Sequence, residues 1–146
     1  MPLSGEYLPG PSKWVTDHVR KYESSGGAEG SRMGSARVVI LTTVGANSGK
    51  LRKVPVIRVE HDGTYAAVAS ASGAASHPGW YFNLKKHPQV DLQDGPLKET
   101  VTAHEAVGEE RALWWQRALE CNPQYADYQA KVSRVIPVIV LEPDPH

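Results

Sequence analysis

At 146 residues, the chain has the size of one domain, so a single compact unit spanning residues 1–146 is expected. Sixteen Lys and Arg balance sixteen Asp and Glu for a formal net charge of zero, which removes the global basic field of a non-specific nucleic-acid binder. A hydrophobic share of 40% against 22% charged excludes wholesale disorder, and a single cysteine, Cys121, excludes an internal disulfide framework and points to a reducing cytoplasm.

No apolar run approaches the ~18–20 residues of a membrane span, and residues 1–6 lack the basic and apolar regions of a signal peptide, so neither export nor integral membrane association is expected. Pro2, Pro9 and Pro11 predict an extended arm over residues 1–11, ending at Ser12 as the N-cap of a helix through about Glu23 that buries Val15, Val19 and Tyr22. The β-branched run Arg37 to Val44 reads as a strand, joined by the loop Gly45 to Gly49 to a second strand, Arg52 to Glu60. His61-Asp62-Gly63 turns into a third, Tyr65 to Ser70. Small residues from Ala71 to Ser76 predict a loop, and Pro78 a short helix carrying Trp80, Tyr81 and Leu84. A hairpin follows, Gln89 to Gln93 and Leu97 to Ala106. Glu109 and Glu110 open a helix with Ala112, Trp115, Ala118 and Leu119 at helical spacing. Beyond Asn122-Pro123, a shorter helix carries Tyr125 and Tyr128, and Val135 to Leu141, with Pro137 inside, reads as a last strand near a sheet edge. Six antiparallel strands with few, short helices predict a mainly β small barrel, since closure removes exposed edges.

Two segments carry candidate chemistry. In Gly45 to Lys53, glycines permit close backbone approach while Lys50, Arg52 and Lys53 supply positive charge for an anion; the same residues also suit an ordinary polar hairpin turn. In Ser70 to Leu84, a small-residue loop enters a helix whose first amides can meet a carbonyl or phosphate, with Trp80, Tyr81 and Phe82 either walling a flat ligand or stapling the helix to the barrel. Tyr125 and Tyr128 share one helical face and either reach a common cavity or pack in the core. The histidines are scattered without i,i+4 pairing, so no metal site is expected. Cys121 reads as a small buried hydrophobe. Walker, Gly-x-Ser-x-Gly and dinucleotide Gly-x-Gly-x-x-Gly signatures are absent.

The order of short motifs is more specific than any one of them. Thr42-Thr43-Val44-Gly45, Ser48-Gly49-Lys50-Leu51-Arg52 and Pro55 are followed by Val68-Ala69-Ser70, Gly73-Ala74 and His77-Pro78-Gly79-Trp80-Tyr81-Phe82-Asn83-Leu84. With Tyr125-Ala126-Asp127-Tyr128-Gln129 and Arg134-Val135-Ile136-Pro137-Val138, this series resembles the deazaflavin-dependent nitroreductase family of actinobacteria. The resemblance implies a split β-barrel of the FMN-binding type and coenzyme F420, an 8-hydroxy-5-deazaflavin with a phosphate and oligoglutamate tail. It further implies hydride transfer from reduced F420 to an electron-poor small molecule: an activated enone, a quinone or a nitroaromatic. By position, Ser48, Gly49, Lys50 and Arg52 correspond to the tail-phosphate site, with Asn47 and Pro55 also among the cofactor-binding residues. Ser70, Ala71, Gly73, Ala74, His77, Pro78 and Trp80 correspond to the wall against the deazaflavin ring, supported by Asn83. Tyr125 and Tyr128 fall on the substrate side as candidate catalytic residues. Many relatives carry basic residues where this chain has Ala46, Asn47 and Ala71. The alternative reading is a non-catalytic carrier for F420 or for another planar or lipid-like ligand. A monomer and a homodimer are both compatible with the sequence.

Overall fold

The computed structural model describes residues 3–143; the first two residues of the expected arm and His146 lie outside them. The elements in chain order are α1 (Lys13–Ser24), β1 (Arg32–Met33), β2 (Ala36–Val44), β3 (Leu51–Ile57), β4 (Val59–His61) and β5 (Thr64–Val68). A 3-10 turn at Ala71–Gly73 leads to α2 (Gly79–Lys86), β6 (Gln89–Asp94), β7 (Leu97–Glu105), α3 (Gly108–Cys121), α4 (Gln124–Lys131) and β8 (Val138–Pro143).

The strand expected over Arg52 to Glu60 is divided at Arg58. Up to Ile57 it pairs with β2, and from Val59 it pairs with β5. The sheet runs β1-β2-β6-β7-β8-β5-β4, so β2 and β5 belong to opposite halves of it. One bent strand thereby links the two halves and curls the antiparallel sheet into a split barrel. The expected β-barrel class is the observed one, with the sixfold strand count raised by this division and by the two-residue β1. At the bend, the Arg58 amide donates to Arg37 O (2.8 Å) and its Nε to Asp94 Oδ2 (2.9 Å).

Strand alternation sorts the apolar residues into layers. Val39 and Leu41 of β2, Tyr65 and Ala67 of β5, Val90 and Leu92 of β6, and Ile139 and Leu141 of β8 fill the barrel interior. The intervening Val38 and Ile40 face Val19 and Tyr22 of α1. Ala66, Val68, Val138 and Val140 face Trp114, Ala118 and Tyr125 of α3 and α4. Strands buried on both faces explain why Val38 to Leu41 and Val138 to Leu141 are continuously apolar.

Several local expectations are corrected. β8 is not an edge strand: it lies between β5 and β7, and Pro137 precedes its first ladder residue, where a missing N–H costs no bond. Val135 is exposed. In α3 the buried residues are Trp114 and Ala118, with Trp115 and Leu119 half-buried beside them, and Ala112 faces solvent. Cys121 is exposed at the helix end rather than buried. No helix among the described residues is long and apolar enough to cross a membrane.

The N-terminal helix docks through backbone. Tyr22 Oη accepts the Gly95 amide (2.7 Å), and past the helix end Gly27 sits at φ +84° against the β6–β7 turn. A Cβ at Gly27 would lie 2.5 Å from Gly95 Cα, whereas one at Gly26, at φ +62°, would meet nothing within 4 Å. Gly27→Ala should therefore cost ~2–4 kcal/mol by adding a backbone clash to left-handed strain, and Gly26→Ala only ~1 kcal/mol. Urea unfolding of the two variants checks this; equal losses would mean that α1 does not dock on the turn.

Candidate functional site

The β2–β3 loop is a closed ring of backbone bonds. Gly45 N–H donates to Lys50 O (2.8 Å), Gly49 N–H to Gly45 O (3.0 Å), and the Lys50 amide to Ser48 Oγ (3.1 Å). A Cβ at Gly45 would lie 2.6 Å from Ser48 Oγ, so a side chain there would push that hydroxyl off the Lys50 amide. The helix α2 grips the loop from one side: Asn83 Nδ2 donates to Thr43 Oγ1 (3.1 Å), Asn83 Oδ1 accepts the Ala46 amide (2.9 Å), and Lys86 Nζ donates to Ala46 O (2.9 Å). From the other side the N-terminal arm runs parallel to β3, its Leu8 amide on Leu51 O (2.9 Å) and its Glu6 carbonyl accepting the Leu51 amide (2.8 Å).

Between loop, α2 and arm lies a cavity of about 660 Å³. Ala46, Asn47, Ser48, Arg52 and Lys53 line its polar side, Gly79, Trp80 and Asn83 the α2 side, and Tyr7, Pro11 and Val15 the arm side. The arm residues were not legible as site residues, because nothing local in their sequence reports that the chain folds back over the loop. Pro55 is buried within β3 and does not line the cavity.

The three cations of this segment differ in what they touch. Lys50 pairs with Glu6 of the arm (3.4 Å), and Lys53 pairs with Glu23 of α1 (2.6 Å) and lies over the Tyr7 ring. The half-buried Arg52 guanidinium has no hydrogen-bond or ion-pair partner among the described residues. The Asn47 and Ser48 amides also have no acceptor among them. No side chain caps the first turn of α2, where Gly79 and Trp80 meet the cavity. This combination, one unpaired guanidinium with free amides beside an indole, can hold an anion at one end and a flat ring at the other.

The segment Ser70 to His77 forms a second group on the far side of the α2 start. Ala71, Ser72 and Gly73 take positive φ (48°, 54° and 81°). Arg134 donates to the carbonyls of Ala69 (3.2 Å), Ser70 (2.9 Å) and Ala74 (3.1 Å) and to His77 Nδ1 (2.9 Å). Sequence reasoning missed Arg134 as a supporting residue, since it lies at least 57 residues from every one of these acceptors. His77 packs on Tyr81 (centroids 4.5 Å apart, planes inclined by 36°), and Tyr81 Oη donates to Glu105 Oε1 (2.6 Å). Burial, then the bond to Glu105, pushes the Tyr81 phenol up to about 12, so it remains a donor through the neutral range.

Tyr125 and Tyr128 do not line the cavity. Tyr125 is 3% exposed within the cluster under α3, and its burial pushes the phenol up. Tyr128 is half-buried, its ring beside Gly73, where an added Cβ would lie 3.2 Å from Tyr128 Cδ1. His104, Glu110 and Glu142 also converge, on the outer surface. There Nε2 faces Glu110 (3.0 Å) and Nδ1 faces Glu142 (3.5 Å), and one ion cannot take both nitrogens of one ring.

Comparison with known proteins gives this geometry a family. Residues 14–143 match the model of the F420H(2)-dependent quinone reductase family. An F420H(2)-dependent quinone reductase of Mycobacterium tuberculosis is 34% identical over 143 residues, covering 89% of this chain and 96% of that protein. Among solved structures, an F420-H2 dependent reductase, FDR-A, superposes with a TM-score of 0.69 at 52% identity, over 72% of this chain and 93% of that one. A second, described as a domain-swapped dimer, reaches a TM-score of 0.72 at 45% identity, over 91% of this chain and all (100%) of that one. The split barrel, the motif order and these matches agree, and the chain belongs to the F420H2-dependent quinone reductase family, whose cofactor is coenzyme F420.

Proposed function

We propose that this chain binds reduced F420 with its anionic tail at Arg52 and its ring toward Trp80, and reduces a quinone or another electron-poor acceptor. The carrying observation is the unpaired Arg52 guanidinium inside a cavity whose two neighbouring cations are already matched by Glu6 and Glu23. When bound, the reduced deazaflavin supplies a hydride from C5. The chain binds and orients: the Asn47 and Ser48 amides join Arg52 on the phosphate, Asn83 holds the loop in place, and Ser70 to Pro78 supplies the wall beside the ring. Tyr128, beside Gly73, stands on the acceptor side, with Tyr125 packed behind it. The solved relative that is a domain-swapped dimer supports a homodimer, and the single cysteine supports a cytoplasmic location.

Charge pairing at Arg52 gives a direct test. Binding of F420, followed by its fluorescence, should weaken as salt rises, and Arg52→Ala should weaken it by about tenfold or more, the loss of one charge-assisted bond. A variant indistinguishable from wild type across the salt series would remove Arg52 from the site. Consumption of F420H2 that does not accelerate when a quinone is added would replace the enzyme with a carrier.

The two tyrosines should separate. Tyr128→Phe is expected to slow single-turnover reduction of the acceptor while leaving F420 affinity nearly unchanged, because the ring survives and only the hydroxyl is lost. Tyr125→Phe is expected to lower stability by ~1 kcal/mol with turnover per folded molecule preserved, as for a buried hydroxyl. An unchanged single-turnover rate in Tyr128→Phe would leave the proton to water.

A further inference from the structure

The Ser70–His77 segment cannot hold its own shape. It contains Ser70, Ala71, Ser72, Gly73, Ala74, Ala75 and Ser76, none with a side chain large enough to anchor it in a core. Three consecutive residues lie in the left-handed region, and two of them, Ala71 and Ser72, carry a Cβ that disfavours it. Internally the turn is closed by the Gly73 amide on Ser70 O (2.9 Å) and the Ala74 amide on Ala71 O (3.0 Å). The Tyr128 ring of α4 packs beside Gly73, but the hydrogen bonds that reach the segment from elsewhere in the chain come, among the described residues, from one guanidinium. Arg134 Nη1 reaches Ala69 O and His77 Nδ1, Nη2 reaches Ser70 O, and Nε reaches Ala74 O, so all three nitrogens grip the segment from its start to its end.

Arg134 is itself fixed. Gln129 Nε2 donates to Arg134 O (2.8 Å) while Gln129 Oε1 accepts the Ile136 amide (2.8 Å), a two-point clamp on the backbone either side of Val135. Arg134 also decides the chemistry of His77. A guanidinium offers only donors, so His77 Nδ1 must accept, and the neutral ring carries its proton on Nε2. Nε2 has no partner among the described residues, and the ring packs between Tyr81, whose hydroxyl is tied to Glu105, and the edge of Phe82. His77 is thus presented as an oriented N–H donor at the entrance to α2.

We infer that Arg134 is a positioning residue for the cofactor: it holds the Ser70–His77 wall in its left-handed turn and sets His77 as an Nε2–H donor toward a carbonyl-bearing flat ring. This rests on the F420 reading for the identity of that ring, while the dependence of the turn on Arg134 stands apart from it.

The test uses the full chain with Arg134→Lys, which keeps one charge but loses the fork, and Arg134→Ala, which can be rescued by added guanidinium. Amide exchange of Gly73 and Ala74 should quicken by about tenfold or more in Arg134→Ala, as expected when local opening loses its main restraint, while Leu41 and Val90 in the barrel stay protected. The KM for F420H2 should rise about tenfold or more with the quinone KM little changed, and millimolar guanidinium chloride should recover part of the affinity, which a merely unstable variant would not show. Arg134→Lys should not restore it, because an ammonium has three donors on one nitrogen and cannot reach four acceptors that the guanidinium meets from three. Unchanged exchange at Gly73 and Ala74 overturns the inference. Faster exchange with an unchanged KM for F420H2 overturns its link to the cofactor. If wild type binds no F420 at all, the functional reading fails, and the exchange measurement still decides whether Arg134 holds the turn.

Discussion

Closure of the barrel depends on one residue, Arg58, at which a single strand changes partners. Before it the strand is tied to β2, and after it to β5. The bend is held on the side chain as well as the backbone. Asp94 Oδ2 accepts both Arg58 Nε (2.9 Å) and Tyr65 Oη (2.6 Å), which joins the bend, β5 and the end of β6 at one carboxylate. Burial, then the bond to Asp94, pushes the Tyr65 phenol up, so it stays a donor to that carboxylate. With the two halves of the sheet linked in this way, the β2–β3 loop projects at one end of the barrel beside α2. The cavity is therefore a consequence of closure.

The same closure determines where the helices lie. Strands of an antiparallel sheet commonly bury one face and wet the other. Here β2 gives its second face to α1, and β5 and β8 give theirs to α3 and α4. The helix α1 then supplies Glu23, whose pairing with Lys53 fixes one wall of the cavity, and α4 leads through Gln129 to Arg134, which fixes the Ser70–His77 segment. Each wall of the candidate site is thus held by an element whose own place is set by packing on the outside of the barrel.

Much of this was legible in the sequence where the cause is local. The β-branched run of β2, the Ser12 cap of α1 and Pro78 ahead of α2 each act within a few residues, and each marks its element. The positions that misled share one property: their environment is set by chain far away. Val135 to Leu141 reads as a strand near an edge because Pro137 lies inside the run, yet the strand starts after the proline and β5 and β7 flank it. Ala112 and Trp114 have similar apolar claims on the helix stripe, and only the direction of the barrel decides that Trp114 turns inward. Within the candidate site, the loop Asn47 to Arg52 and Trp80 could be singled out from glycine, charge and aromatic patterns. Tyr7 and Arg134 could not, since Tyr7 bridges to Leu51, 44 residues on, and the Arg134 guanidinium grips groups at least 57 residues away.

The charge arrangement also bears on how an anion reaches the cavity. A chain of zero net charge has no global field to draw anions from a distance, and Ala46 and Asn47 add no charge to the loop itself. Of the remaining cations, Lys50 and Lys53 are spent on Glu6 and Glu23. The Lys53–Glu23 pair, with side chains 20% and 33% exposed, is the better shielded and the Lys50–Glu6 pair the more solvated. Exposed pairs contribute little stability; the arm is held on β3 by its backbone bonds to Leu51 and α1 by its apolar face, and the effect of the pairs on the cavity is that Lys50 and Lys53 are already matched. An anion entering the cavity would therefore meet the unpaired Arg52 and the Asn47 and Ser48 amides, with Lys86, held on Ala46 O, as the further cation beside the loop. Such recognition acts at hydrogen-bond range and selects by the shape and spacing of acceptor oxygens more than by total ligand charge.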